Sequence, residues 1–193
     1  GKSMVRNLRK AGYEVSIYTR TKAKVEDVIA EGARWCDTVA ECAKGQDVVI
    51  TIVGYPKDVE EVYFGESGII ANADKGTYLI DMTTTSPKLA VRIYEEAMKA
   101  GLYALDAPVT GGDTGAKAGT LTILAGGDKE VFDACLPVLE AMGKNINYEG
   151  KAGNGQHTKM CNQIAIAGAL AGACEAMVYA KKVGLDVDVM LKS

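Results

Sequence analysis

Scarcity sets the first bounds on this chain of 193 residues. It has one histidine, and its five cysteines (Cys36, Cys42, Cys135, Cys161 and Cys174) include no Cys-x-x-Cys pair. That spacing argues against a metal site of the zinc type, and an odd cysteine count makes a poor disulfide framework. Reduced thiols in a cytoplasmic setting are the expectation. A formal net charge of -3 leaves no broad basic field for nucleic acid or anionic lipid. No fixed-period repeat or low-complexity segment interrupts the chain. No apolar stretch reaches the roughly 20 residues that cross a bilayer. The nearest, Ile164 to Ala180, is rich in Ala and Gly, contains Glu175, and reads as a buried helix. The expected partners therefore include neither nucleic acid nor membrane.

What is present alternates. The run Val48-Val49-Ile50-Thr51-Ile52, within 47–53, is of the type buried on both faces of a parallel sheet. Further strands are predicted over 14–18, 78–82, 102–109, 121–125 and 145–148. Apolar residues at helical spacing predict helices over 5–11, 22–31, 38–44, 58–63, 87–100 and 129–142. Gly12, Gly32 and Gly45 close the first three, Ser86 and Pro87 open the fifth, and Pro137 is expected to kink or divide the sixth. Strands separated by helices imply an α/β, Rossmann-like, doubly wound and mostly parallel sheet. One long helix over 155–183 breaks this rhythm. The linker near Gly150 to Asn154 is therefore taken as a boundary, with residues 1–152 a dinucleotide-binding domain and 153–193 the start of an all-α domain.

A dinucleotide site needs a strand, a G-x-G-x-x-G turn and a helix whose N-terminal amides hold the pyrophosphate. Only the last glycine of such a turn could be present, as Gly1. The second strand ends Tyr18-Thr19-Arg20-Thr21 and carries no acid. An acid there binds the ribose 2′-hydroxyl of NAD, whereas an arginine accommodates a 2′-phosphate. Arg20, with the Thr21 hydroxyl, points to NADP in preference to NAD; the alternative is a solvated surface arginine. Asp106-Ala107-Pro108-Val109-Thr110-Gly111-Gly112 follows a strand, and its glycines would let backbone amides approach an anion, or simply make a turn. Gly126-Gly127 reads as only a turn. The segment Asp81 to Pro87 ends a strand with hydroxyls suited either to a cofactor or to helix capping. Gly168 and Gly172, four apart, permit close helix packing within the chain or across a dimer.

The most informative run is Gly155-Gln156-His157-Thr158-Lys159-Met160-Cys161-Asn162-Gln163. On a helix, Lys159, Asn162 and Gln163 share one face. One ammonium and two amides beside a dinucleotide-binding fold suit hydride transfer to or from a small hydroxy acid. The alternative is a solvated lysine.

Together these pieces closely resemble the 3-hydroxyisobutyrate dehydrogenase family of β-hydroxyacid dehydrogenases. The matching stretches are Gly1 to Leu8, Thr19 to Thr21, Asp81 to Pro87, Asp106 to Gly112 with Gly115-Ala116 and Gly119-Thr120-Leu121, and Gly153 to Gln163. The resemblance implies Lys159 as the catalytic residue and Thr110, Gly111, Gly112, Asn162 and Gln163 as substrate-binding. It places Gly1, Arg20, Thr21, Val53, Gly54, Asp58 and Thr84 at the cofactor. Thr110 stands where Ser is commoner, Gln163 where many members have a second Asn, and Gly54 where Pro is common. The 6-phosphogluconate dehydrogenases share the architecture but typically carry His-Asn at the positions of Asn162-Gln163, which argues for a small unphosphorylated acid.

The implied activity is NAD(P)-dependent interconversion of a small 3-hydroxy acid and its semialdehyde, in a homodimer or homotetramer. A tartronate, glyoxylate or succinate semialdehyde reductase of the same family is the alternative enzyme. A non-catalytic dinucleotide-binding module is the alternative of another class. Family members run longer at both ends, so the first strand and the rest of the helical domain are expected outside this sequence.

Overall fold

A computed structural model describes residues 1–193. The chain opens with helix α1 (Lys2–Lys10), which turns Met4 and Leu8 inward, and strand β1 (Ser16–Ile17). The helix expected over 22–31 is split: a 3-10 turn (Lys22–Lys24) precedes α2 (Glu26–Ala30). Strand β2 (Arg34–Trp35) and helix α3 (Val39–Ala43) follow, and the Thr38 hydroxyl caps α3 by accepting the Glu41 N–H at 3.0 Å. Next come β3 (Val48–Thr51), α4 (Pro56–Tyr63), α5 (Ile69–Asn72), β4 (Tyr78–Asp81) and α6 (Pro87–Lys99). Ser86 stands at the N-cap of α6, but its side chain makes no capping bond.

The strand expected over 102–109 is broken in two. Strand β5 (Tyr103–Asp106) stops at Ala107-Pro108, where proline offers no N–H to a ladder, and β6 (Val109–Thr110) resumes. Helix α7 (Gly112–Ala118), strand β7 (Leu121–Gly127), helix α8 (Lys129–Glu140) and strand β8 (Gly143–Gly150) complete the α/β part. Pro137 does not divide α8: it lies on the exposed side, and the Asp133 carbonyl it cannot serve belongs to an exposed residue. Helix α9 (Asn154–Lys182) and the short α10 (Val187–Met190) end the chain.

The main sheet has six strands, in the order β3-β4-β5-β7-β6 with β8 also on β7. Strands β3, β4 and β5 are mutually parallel, as are β7 and β8, while β7 runs antiparallel to β5 and β6. The fold is thus Rossmann-like, with a mixed, mostly parallel sheet and a long helix after it. Period-two alternation builds both faces. Ile80 and Leu105 join one apolar cluster with Met4, Phe132 and Leu139; Leu79 and Ala104 join another with Tyr63, Ile69 and Ile93. Leu79 and Ile80 are at most 1% exposed. Burial of each contributes about 1.5–3 kcal/mol. The register sets Thr51, Asp81 and Asp106 side by side at the carboxyl ends of three parallel strands.

Strands β1 and β2 form a separate two-stranded parallel sheet. A cavity of about 1240 Å³ is lined by residues of β1 and β3, with Met4, Leu8 and Met142 among its apolar walls.

By packing, the chain divides into two compact units, Gly1–Thr158 and Lys159–Ser193. In the second unit, every residue from 163 to 179 is exposed within the 193-residue chain. Contrary to the reading of its length, α9 is long and apolar enough to cross a membrane by length and composition, with a mean hydropathy of 1.4 over 18 residues. Apart from the helix's own local backbone, nothing lies within 4 Å of where a Cβ would stand on Gly168 or Gly172, so no packing within this chain uses them.

Candidate active site

Parallel strands present their carboxyl ends to ligands in folds of this kind, and the buried polar residues Thr51, Asp81, Thr83 and Asp106 lie there. The Thr51 hydroxyl donates to Asp81 Oδ1 at 2.9 Å and lies 2.9 Å from the Tyr63 hydroxyl. Asp81 Oδ1 also accepts the Thr83 N–H at 3.1 Å, and the Thr83 hydroxyl in turn accepts the Val53 N–H at 3.0 Å. Burial pushes the Asp81 carboxyl above its ordinary value. Its Oδ2 has no partner, and a cavity of about 10 Å³ lies between Asp81 and Asp106. That is room for about one water.

Asp106 is the second buried carboxylate, 5% exposed. Its Oδ1 accepts the Gly153 N–H at 2.7 Å and its Oδ2 the Gln156 N–H at 2.9 Å. Burial raises its pKa to about 6, against the pull of these two amides. Gln156 is 1% exposed; its Oε1 accepts the Thr85 N–H at 2.9 Å and its Nε2 donates to the Thr83 carbonyl at 2.8 Å. The close fit depends on glycine. A Cβ on Gly155 would stand 2.3 Å from the Leu124 carbonyl oxygen, and one on Gly126 would stand 2.7 Å from Asp106 Oδ1. Gly126-Gly127 is therefore not merely a turn: it ends β7 where the chain must approach Asp106 and Gly155.

The residues expected at a cofactor fall into two groups. Gly1, Arg20, Val53, Gly54 and Asp58 all line the large cavity. Gly1 sits at the N-cap of α1, whose first amides have no intrahelical partner. Arg20 Nη1 donates to Asp58 Oδ1 at 3.0 Å, and Asp58 Oδ2 accepts the Tyr55 N–H at 3.0 Å. An acid of α4 is thus paired with the arginine that follows β1. Thr21 and Thr84 do not line the cavity, and both are exposed. In the segment 81–87, Thr83 and Thr85 are buried and serve the interior, leaving Thr84 as the outward hydroxyl.

Of the expected substrate-binding residues, Thr110 ends β6 and is half-buried, while Gly111 and Gly112 are exposed. Gly111 (φ +121°) and Gly112 (φ +61°) have backbones that side chains rarely adopt, so this turn needs glycine at both positions. The turn leads directly into α7, a helix that the glycine-rich sequence had not suggested.

In the second unit, Lys159 is 7% exposed, an uncommon state for a lysine. Its Nζ has one hydrogen-bond partner, Asn162 Oδ1, at a long 3.5 Å. Burial lowers its pKa from the ordinary value. Asn162 is half-buried, but Gln163 is exposed and makes no side-chain hydrogen bond.

Asp81, Asp106, Gln156, Gly126 and Gly155 carry this architecture, although sequence reasoning gave Gly126 only a turn and the others no role of their own. Asp106 and Gln156 stood inside the two motifs singled out, and the neighbouring glycines were the available signal of a close approach.

The Rossmann-like fold of the first unit is one that commonly binds dinucleotides, and comparison with known proteins gives the family. Residues 1–150 match the family described as the NAD binding domain of 6-phosphogluconate dehydrogenase, and residues 153–193 the one described as NAD-binding of NADP-dependent 3-hydroxyisobutyrate dehydrogenase. The chain belongs to the 3-hydroxyisobutyrate dehydrogenase-like family of NAD(P)-dependent oxidoreductases. It is 58% identical to the uncharacterized oxidoreductase YkwC of Bacillus subtilis, covering 100% of this chain and 67% of that protein. It is 39% identical to 3-hydroxyisobutyrate dehydrogenase of Pseudomonas aeruginosa, covering 98% and 64% respectively. The Mycobacterium tuberculosis 3-hydroxyisobutyrate dehydrogenase solved with L-serine superposes with a TM-score of 0.90 at 33% identity, over 100% of this chain and 66% of that one. The chain thus spans about two thirds of the length of these relatives.

Proposed function

We propose that the protein interconverts a small, unphosphorylated 3-hydroxy acid and its semialdehyde, using NADP in preference to NAD. The observation that carries this reading is the state of Lys159: nearly excluded from water, with one long contact to Asn162 and a lowered pKa. We retain the division into a dinucleotide-binding part, 1–152, and the start of a helical part, 153–193. Because residues 153–193 match an enzyme domain, we assign the exposed apolar face of α9 to protein contacts in a cytoplasmic homo-oligomer rather than to lipid.

Of the residues bordering the large cavity, Gly1, Arg20, Gly54 and Asp58 suit a dinucleotide, whereas Met4, Leu8, Ile50 and Met142 are apolar core residues. Gly1 at the helix N-terminus leaves room and free amides for a pyrophosphate, and Arg20 offers a planar donor fork suited to a 2′-phosphate. Gly54 has no side chain where a Cβ would stand 3.0 Å from Asp58 Oδ2. The nicotinamide, when bound, supplies the hydride chemistry. The chain supplies position and proton transfer. Thr110, Gly111 and Gly112 bind the substrate carboxylate, and Asn162 orients its reacting oxygen. Lys159, as ammonium, gives a proton to that oxygen during reduction; as a neutral amine it takes one during oxidation. A free lysine has a pKa of about 10.4. Acting as a base near pH 7–8 requires a downward shift of roughly 2–3 units, about 3–4 kcal/mol, and burial acts in that direction.

Lys159→Ala in the full-length protein should lower kcat by about 10²–10⁴-fold with the fold intact by circular dichroism; near-normal turnover would remove the assignment. Arg20→Ala should raise the Kd for NADP about tenfold more than that for NAD; an equal effect on both would refute the 2′-phosphate role.

A further inference from the structure

Asp106 stands where strand β5 meets the first turn of α9. Helix N-termini leave their first amides without intrahelical partners. Here a single carboxylate takes two such groups, the amides of Gly153 and Gln156, with one oxygen each. Gln156 extends the hold by tying the same turn to the backbone of Thr83 and Thr85. Gly155 and Gly126 leave no space for slack, since a Cβ on either would collide with the backbone or with Asp106 itself. Lys159 comes three residues after Gln156 on the same helix.

We propose that Asp106 is a positioning residue for the reaction: as a carboxylate it clamps the Gly153 and Gln156 amides and so fixes the helical turn from which Lys159 projects. This rests on the catalytic reading of Lys159. A neutral carboxyl, or the amide of asparagine, has one acceptor oxygen for two N–H groups, and its other atom carries hydrogen toward one of them. The clamp therefore requires the ionised form. A misplacement of about 1 Å can cost on the order of 10²-fold in rate, so a small loosening at Gly153 acts on turnover.

The groups facing Asp106 define its titration. Asp81 on β4 opposes ionisation, and Tyr94 on α6 lines the same small cavity with its hydroxyl donated to Asp128. The folded-state pKa of about 6 lies above the ordinary carboxylate value. Between roughly pH 4 and 6 the folded protein therefore holds a proton that the unfolded chain has lost. This group's contribution to stability is present below that window and is lost as pH rises through it. The clamp forms over the same interval, so stability falls while turnover rises.

The test uses the full-length protein with ¹⁵N-labelled glycine and glutamine. The Gly153 and Gln156 amide resonances should titrate together with a midpoint near pH 6, and Asp106→Asn should abolish that titration. The same variant should lower kcat at least about tenfold. Its KM for the hydroxy acid and Kd for NADP should move less than about threefold, and the acid limb near pH 6 should vanish from its kcat profile. Amides that do not titrate, or a normal kcat in Asp106→Asn, overturn the proposal. A wild-type protein whose amides titrate but which turns over no hydroxy acid defeats the catalytic reading, and the positioning role falls with it. If Asp106→Asn fails to fold, Gln156→Met carries the test: it cuts the tie to Thr83 and Thr85 at similar volume. A kcat loss of about fivefold or more with KM nearly unchanged supports the clamp; an unchanged kcat overturns it.

Discussion

Helix α9 begins in one environment and continues in another. Gly153, Gly155 and Gln156 are buried; the amides of Gly153 and Gln156 are matched to Asp106, and the Gln156 side chain to Thr83 and Thr85. From residue 163 to 179 the helix is apolar, Ala-rich and exposed throughout, with Ile164 and Leu170 more than 60% open to solvent. The polar end is thus the buried one. Polar groups enter an interior when every donor meets an acceptor, whereas apolar side chains are covered only when something packs on them. A helix that is apolar on all sides is one built to be surrounded.

The two ends can be set against each other with the same substitution. The larger effect is expected at Gly155→Ala. A methyl group 2.3 Å from the Leu124 carbonyl forces β7 and α9 apart. The cost should be at least about 3 kcal/mol, read as a lowered denaturation midpoint or as loss of soluble protein. A stable Gly155→Ala protein would show that the close approach of helix and strand is not needed. The smaller effect is expected at Gly168→Ala, where a methyl group meets nothing within 4 Å. In the 193-residue chain it should stabilise the helix by about 0.5–1 kcal/mol, because alanine loses less backbone freedom than glycine on becoming helical. A destabilisation of the full-length protein by this change would place a tightly packed neighbour on that face and sharpen the contrast between the two ends.

Much of the α/β scaffold was legible because it rests on local pattern. The β-branched run of β3 and the spaced apolar residues of α6 declare themselves, and the observed bounds fall close to those expected. The elements that escaped notice are short or compositionally misleading. Strand β2 is two residues long, and α7 reads Gly-Asp-Thr-Gly-Ala-Lys-Ala, a composition better suited to a turn. Gly1 and Arg20 were legible from the dinucleotide-fold pattern, whereas Val53, Gly54 and Asp58 were reachable only through family resemblance. Least legible were the Asp106 clamp and the exposure of α9. A carboxylate in sequence gives no sign that both its oxygens serve one distant helix turn, and an apolar segment does not reveal whether its cover lies in the same chain.

The Arg20–Asp58 pair has a consequence for how charge works at the mouth of the large cavity. With a carboxylate of the protein already seated on the guanidinium, the phosphate proposed to bind Arg20 would not meet a bare cation: it would trade places with Asp58. The net attraction is then a difference between two similar pairings, both weakened alike by added electrolyte. Under the proposed 2′-phosphate role, discrimination between nucleotides would rest on how well each anion matches the fork of donors more than on total charge.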